Sequence, residues 1–211
     1  MPTFLHVGCG MKRQTHTTRG LQATDWKECR LDIDPLVEPD IVGSMLDMVA
    51  IPDGSMDAIY SSHNIEHLYA HEVPLALAEF RRVLKPAGFA ILTCPDLQAV
   101  AELIARDKLT EPAYTSPAGP IAPLDMLYGH RPALAAGNLY MAHRTGFTLK
   151  SLLATLRQAG FGSVIGARQP APGYALWVVA SPSAQPEAAL RALAAQHFPQ
   201  QRTGLAGAPS A

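Results

Sequence analysis

Residues 3–10 read Thr-Phe-Leu-His-Val-Gly-Cys-Gly, and residues 29–35 read Cys-Arg-Leu-Asp-Ile-Asp-Pro. The first stretch is a short apolar run that stops at two glycines, the pattern of a buried strand running into a tight turn. Glycines at such a turn let the backbone approach a ligand where a Cβ would clash. The second stretch is another brief strand, over 29–33, halted by Pro35. Its acid, Asp32, stands 22 residues beyond Gly10. An acid at about that distance, at the end of the second strand, is placed to accept hydrogen bonds from ribose hydroxyls. A Gly-x-Gly turn alone is weak evidence, since many α/β proteins use one for packing. Strand, turn and acid at this spacing together point to a bound nucleoside.

Outward from this unit, short β-branched runs alternate with helical patterns, as in a parallel sheet with crossover helices. Strands are expected over 40–43, 57–61, 89–93, 163–167 and 174–180, and helices over 72–84, 97–106, 148–159 and 187–197. Val73, Leu77, Phe80 and Leu84 lay an apolar stripe along the first helix, and Pro86 and Gly88 punctuate its end. The segment from Lys12 to Lys27 is polar and lacks a helical period, so a short helix or a loop, mobile without ligand, is expected there. Residues 108–146 are rich in Pro and Gly with no sustained period. A stretch of that length inside a compact domain is a functional lid or a loosely ordered insertion. One domain over 1–180 is expected, followed by an Ala/Pro/Gln-rich tail over 181–211, disordered beyond its short helix.

Composition narrows the function. The 211 residues are 48% hydrophobic and 17% charged with a net charge of -1, and the Lys and Arg residues are scattered. Such a surface has no electrostatic footprint for a phosphate backbone, so no nucleic-acid partner is expected. Three cysteines at unrelated spacings suit reduced, buried thiols rather than a disulfide framework. No run approaches the ~18 apolar residues of a membrane span, and the protein is read as cytoplasmic and unprocessed. Nothing in the composition addresses oligomeric state.

With these residues in hand, the chain resembles the class I S-adenosylmethionine-dependent methyltransferases, over roughly residues 3–180. Phe4 to Gly10 is similar to the family's first motif, and Arg30 to Pro35 to its ribose-binding acid region. Ile51-Pro52-Asp53-Gly54-Ser55-Met56-Asp57-Ala58-Ile59-Tyr60 resembles the approach to its fourth strand. Asn64-Ile65-Glu66-His67-Leu68 matches the recurring "LEHL", and Phe80 to Gly88 the "RVLKPGG" segment. Gly146-Phe147-Thr148 and Ala159-Gly160-Phe161 match the late "GFT" and "AGF" elements. The resemblance implies a Rossmann-like, doubly wound α/β fold, with a mostly parallel seven-stranded sheet and an antiparallel last strand. It implies S-adenosylmethionine as cofactor, its amino-acid end near His6, Gly8, Cys9 and Gly10 and its ribose on Asp32 and Ile33. Ser44, Met45 and Leu46 then flank the adenine, and Ser61, Ser62 and His63 close the floor. Three positions depart from the family: His6 where an acid or amide is usual, Lys12 where a glycine is, and Ser44 where a carboxylate often is.

His63, Glu66 and His67 also spell H-x-x-E-H, a zinc-peptidase spacing when it lies on a helix. No third ligand or supporting shell is apparent in the sequence, so no metal is assigned. Cys9 and Cys94 read as small packed residues rather than nucleophiles. The 108–146 segment carries Asp125, Tyr128, His130, Arg131, Asn138, Tyr140, His143 and Arg144. In a solvated loop these carry no role; in a lid, His130 or His143 is a candidate general base, and Arg131 or Arg144 a candidate holder of an anionic group. The expected activity is methyl transfer to a small-molecule or glycan-like acceptor. The alternatives are a binding protein of the same type that has lost catalysis, a nicotinamide enzyme, and a zinc hydrolase. The nicotinamide reading is weakened by Arg13, which stands where G-x-G-x-x-G needs its third glycine.

Overall fold

The computed structural model describes residues 1–199. Strands β1 (Thr3–Val7), β2 (Lys27–Asp32), β3 (Ile41–Val42) and β4 (Met56–Ser62) precede helix α1 (Val73–Val83). Strand β5 (Leu84–Pro95) and helix α2 (Leu97–Ile104) follow. A hairpin of β6 (Tyr114–Ser116) and β7 (Gly119–Ile121) then leads into α3 (Pro123–Tyr128) and α4 (Arg131–Ala135). The chain continues through α5 (Leu149–Gln158), β8 (Ser163–Gln169), β9 (Ala175–Ser181) and α6 (Glu187–His197).

Seven strands form one sheet in the order β3-β2-β1-β4-β5-β9-β8. The pairs β3/β2, β2/β1, β1/β4 and β4/β5 are parallel, whereas β9 runs antiparallel to both β5 and β8. This is the expected Rossmann-like, doubly wound α/β sheet. The chain leaves β1 toward β2 on one side and reaches β4 on the other, so the sheet's switch point lies at the carboxyl end of β1. Ligands of open α/β sheets sit in the crevice formed there.

Strand pleating divides the core into two layers. Leu5, Val7, Ile59, Leu92 and Val178 pack against Leu77 and Phe80 of α1 and Leu152 and Leu156 of α5. Phe4, Ala58, Tyr60, Ile91 and Val179 face the other way, onto Leu21, Trp26 and Leu190 of α6. Thr148 caps α5, its hydroxyl oxygen accepting the Ser151 N–H at 3.3 Å.

Between β1 and β2 there is no α-helix, only one 3-10 turn (Gln14–His16) and a series of tight turns. The polar, aperiodic sequence of that segment has no apolar stripe with which to dock a helix, as expected. The layer it leaves thin is completed by α6, which arrives from the far end of the chain. His197 is buried against Phe89, with ring centroids 5.2 Å apart, and its Nδ1 lies 2.6 Å from the Thr18 hydroxyl. Gly20 abuts the same imidazole so closely that an added Cβ would lie 2.4 Å from it. The first part of the segment read as a tail therefore packs on the sheet; the expected disorder concerns residues beyond those described.

The 108–146 segment is more ordered than its composition suggests, holding β6, β7, α3, α4 and a 3-10 turn (Leu139–Met141). Elements of three to six residues are too short to leave a visible period in the sequence. Among the described residues no helix is long and apolar enough to cross a membrane.

Candidate functional site

At the carboxyl ends of β1, β2 and β4 lies a cleft of about 490 Å³. The glycine turn forms its inner wall. Gly8 has φ +59°, and an added Cβ would overlap the Asn64 side chain at 2.0 Å. Asn64 itself donates from Nδ2 to the Val7 carbonyl at 2.8 Å, which ties β1 to the segment after β4. Gly10, at φ +52°, has nothing within 4 Å of where its Cβ would stand, so here the turn presents bare backbone to open space. Asp32 closes the turn: Oδ2 accepts the Gly10 N–H at 2.7 Å, and Oδ1 accepts the Asp34 N–H at 3.0 Å. Each oxygen retains a lone pair.

Beneath the turn sits Arg30, 2% exposed. Its guanidinium donates to the carbonyls of Gly10 (2.6 Å), Lys12 (3.2 Å), Val37 (3.1 Å) and Glu38 (2.6 Å). One planar fork thus satisfies the carbonyls of both cleft-lining loops. Sequence reading passed over it, because a lone Arg in a strand carries no pattern; only its place beside the glycine turn identifies it.

Of the residues expected around the cofactor, Gly8, Cys9, Gly10, Asp32, Ile33, Ser44, Met45, Ser62 and His63 line this cleft, as does Lys12. Three others do not. His6 is 1% exposed and turned between strands, its Nδ1 2.7 Å from Glu28 Oε1. Burial lowers its pKa against the pull of Glu28, so the neutral ring donates its Nδ1–H. Glu28 also accepts the Gln14 N–H at 2.9 Å, so an acid from β2 serves the loop after the turn where position 6 lacks one. Leu46 packs into the core, because its N–H turns back onto the Ser44 hydroxyl at 3.1 Å. Ser61 is 2% exposed with its hydroxyl unpartnered, since alternation along β4 points it away from the cleft that Ser62 reaches.

Burial keeps the thiols protonated: Cys9 is pushed up to about 11 and Cys94 well above its ordinary value, which argues against both as nucleophiles at neutral pH.

A second cavity, about 140 Å³, adjoins the first. The two share His63, His67 and Met141 as common walls. Its roof comes from the insertion: Asp125, Met126, His130 and His143, with Tyr114 and Ile121 of the hairpin. Both candidate bases are therefore brought together. The His143 Nδ1 lies 2.9 Å from the Met126 carbonyl, so it carries the proton and Nε2 keeps its lone pair. Burial lowers the His143 pKa below its ordinary value despite the nearby Glu66. The Nε2 of His130 is buried without a partner.

The insertion is fastened to the segment after β4. The Arg144 N–H donates to the Glu66 carbonyl at 2.8 Å, and its guanidinium donates to the His67 carbonyl at 3.1 Å while lying 4.9 Å over the Tyr69 ring. Arg131, the other expected anion holder, is taken up by Asp125, Nε to Oδ1 at 2.7 Å and Nη2 to Oδ2 at 3.0 Å. This bidentate pair holds the Asp125 carboxyl down at about 2. Asn138, Tyr140, Met141 and Arg144 reach over the larger cleft.

The H-x-x-E-H residues do not lie on a helix. Ile65–His67 is a single 3-10 turn, and His63 before it takes the left-handed φ +57°, rare for a side chain with a Cβ. The peptidase geometry, which needs both histidines on one helical face, is absent.

Comparison with known proteins agrees with this architecture. Residues 5–92 match the family described as a methyltransferase domain. A Pyrococcus horikoshii OT3 protein of solved structure shares 16% identity, with 86% of this chain and 82% of that one covered and a TM-score of 0.58. The 1,6-didemethyltoxoflavin-N1-methyltransferase of Burkholderia thailandensis, solved with 1,6-didemethyltoxoflavin and S-adenosylhomocysteine bound, is 16% identical (86% and 72% covered, TM-score 0.56). A Methanosarcina mazei S-adenosylmethionine-dependent methyltransferase is 15% identical (87% and 93% covered, TM-score 0.56). No curated protein matches the chain in sequence. Residues 5–92 thus resemble a methyltransferase domain, and the sheet has the Rossmann-like fold of the class I S-adenosylmethionine-dependent methyltransferases. S-adenosylmethionine is the cofactor of that class.

Proposed function

We propose that this protein transfers the methyl group of S-adenosylmethionine to a small-molecule or glycan-like acceptor held in the 140 Å³ cavity beneath the insertion. The observation that carries this reading is the shared wall of His63, His67 and Met141 between that cavity and the larger cleft. On this reading, methyl donor and acceptor meet where the two cavities adjoin. The relative from Burkholderia thailandensis, with a small acceptor and the spent cofactor bound together, is in keeping with such an arrangement.

The cofactor, when bound, supplies a methyl on a positively charged sulfonium, ready for in-line displacement. The chain's own work is then alignment, exclusion of water and removal of a proton. Asp32 offers its remaining lone pairs to the ribose hydroxyls, and bare backbone at Gly10 admits the amino-acid end. Ser44 and Met45 flank the base. The insertion roofs the acceptor, and the free nitrogens of His130 and His143 stand ready for its proton. The acceptor is expected to be small, since the cavity has room for little more than one ring.

Calorimetric titration with S-adenosylmethionine and S-adenosylhomocysteine tests the reading. One equivalent of either ligand is expected, with affinity at least ~100-fold weaker in Asp32→Ala. Failure of the folded protein to bind both ligands overturns it. Binding without turnover across a broad acceptor panel would favour the non-catalytic alternative, for which Lys12 and Ser44 are the relevant departures. His130→Ala is expected to lower turnover without altering affinity for S-adenosylhomocysteine; unchanged turnover removes it as a base.

A further inference from the structure

Among the described residues, the least satisfied buried group is the Glu66 carboxylate. It is 1% exposed, and neither oxygen has a hydrogen-bond partner among them. The nearest polar contact is His63 Nδ1, 3.3 Å from Oε1, an ion-pair distance without hydrogen-bond alignment. A buried carboxylate left this way loses its hydration without replacement. A buried carboxyl group with unused lone pairs, lining a cavity, is suited to a cation.

The two imidazoles beside it are prepared in the same sense. Glu66, His67 and His143 bring a carboxylate oxygen and two ring nitrogens within 4.8 Å of one another. Both rings have Nδ1 against a backbone carbonyl, His67 at 3.1 Å from Ala142 and His143 at 2.9 Å from Met126. Each Nδ1 thus carries the proton, and each Nε2 is left with its lone pair. Imidazole ligands of metal ions are oriented in this way, by a carbonyl or carboxylate holding the other nitrogen. The ring centroids are 4.9 Å apart and the planes lie at 66°, so the rings converge without stacking.

From this geometry we infer that Glu66, His67 and His143 bind one divalent transition-metal ion of the zinc class, with an open position facing the 140 Å³ cavity. Two nitrogens and one carboxylate oxygen with a free fourth place are the donor set of a zinc site that keeps room for a ligand. Zinc bonds of about 2.1 Å place ligand atoms roughly 3.4 Å apart, so the trio tightens somewhat on binding. The sequence hid this set because its third ligand comes from the insertion. Metal binding here does not depend on the methyltransferase reading. What does rest on it is the consequence: an acceptor oxygen, nitrogen or sulfur at the open position is polarised next to the cofactor cleft, and His130 remains the base.

The test uses the full chain, stripped with a chelator and checked for folding by circular dichroism. Titration with zinc chloride is expected to give one equivalent bound with sub-micromolar affinity, weakened at least 100-fold in both Glu66→Gln and His143→Ala. Cobalt(II) added instead should give the visible d–d bands of a tetrahedral nitrogen/oxygen site, absent in both variants. Absence of binding by the folded protein overturns the inference, as does binding unchanged in His143→Ala, whose partners lie in the insertion and not in the sheet. Titration of the same preparation with S-adenosylhomocysteine separates the two readings. Cofactor binding without zinc removes the metal alone, and zinc without cofactor binding removes the methyltransferase reading alone.

Discussion

The two halves of the site are built on different principles. The proposed cofactor half is backbone at the ends of adjacent parallel strands: Gly8 and Gly10 turn the chain, Asp32 closes the turn, and Arg30 binds its carbonyls from below. The proposed acceptor half is side chains from segments remote in sequence, with Glu66 and His67 from the turn after β4 and His130 and His143 from the insertion. The first is held by local geometry that any nucleoside-binding sheet of this type needs. The second can be rewritten by changing a few loop residues without disturbing the sheet, which is how one fold serves many acceptors.

That contrast predicts unequal penalties for damage, greatest in the cofactor half. Arg30→Ala strips one buried donor group from four carbonyls and is expected to cost about 4 kcal/mol of stability and abolish S-adenosylhomocysteine binding. Urea denaturation measures it, and Arg30→Lys should rescue little, because an ammonium cannot span the same carbonyls. A loss under about 1 kcal/mol would mean that the loops hold themselves.

Gly8→Ala drives a methyl into Asn64 in a backbone conformation that favours glycine. Affinity for S-adenosylhomocysteine should fall about 100-fold, with a smaller loss of stability. A variant that binds normally would show that the turn yields.

Support for the cofactor half from α6 can be read by pH. Burial lowers the His197 pKa from 6.5 to about 4, so the folded protein keeps this ring neutral where the unfolded chain takes up a proton. Its contribution is complete above the unfolded value and is lost as pH falls from about 6.5 toward 4. Wild type should lose about 2 kcal/mol between pH 7.5 and 5 that His197→Phe does not lose. Hydrogen exchange over residues 12–25 should rise in the same window if α6 holds that loop down. Equal pH dependence in the two proteins would detach α6 from this role.

Arg144→Ala probes the join between the halves. Losing the guanidinium over Tyr69 and its bond to the His67 carbonyl is expected to weaken S-adenosylhomocysteine binding only about threefold. A loss approaching that of Gly8→Ala would erase the distinction between the halves.

Legibility followed the same line. The glycine turn, Asp32 and the alternation of strands and helices were readable because each is a pattern over a few neighbouring residues. The lack of an apolar stripe between Lys12 and Lys27 left a short helix or a loop open after β1, and the structure has turns there. His6, Leu46 and Ser61 were placed at the cofactor by motif position, and the structure turns all three elsewhere. Position in a motif does not say which face of a strand, or which side of a tight turn, a side chain takes. H-x-x-E-H was readable as letters, but its meaning depended on a helix that the left-handed His63 and the 3-10 turn replace.

By itself the sequence determined the sheet, its glycine turn and the acid facing it, because strand period, backbone conformation and a fixed spacing are local constraints. Only the tertiary structure decided that α6 covers the thin layer over β1, that Arg30 ties two loops together, and that His143 comes to rest beside Glu66 and His67. Those are contacts between distant segments, set by where packed elements bring them and not by any residue's neighbours in the chain.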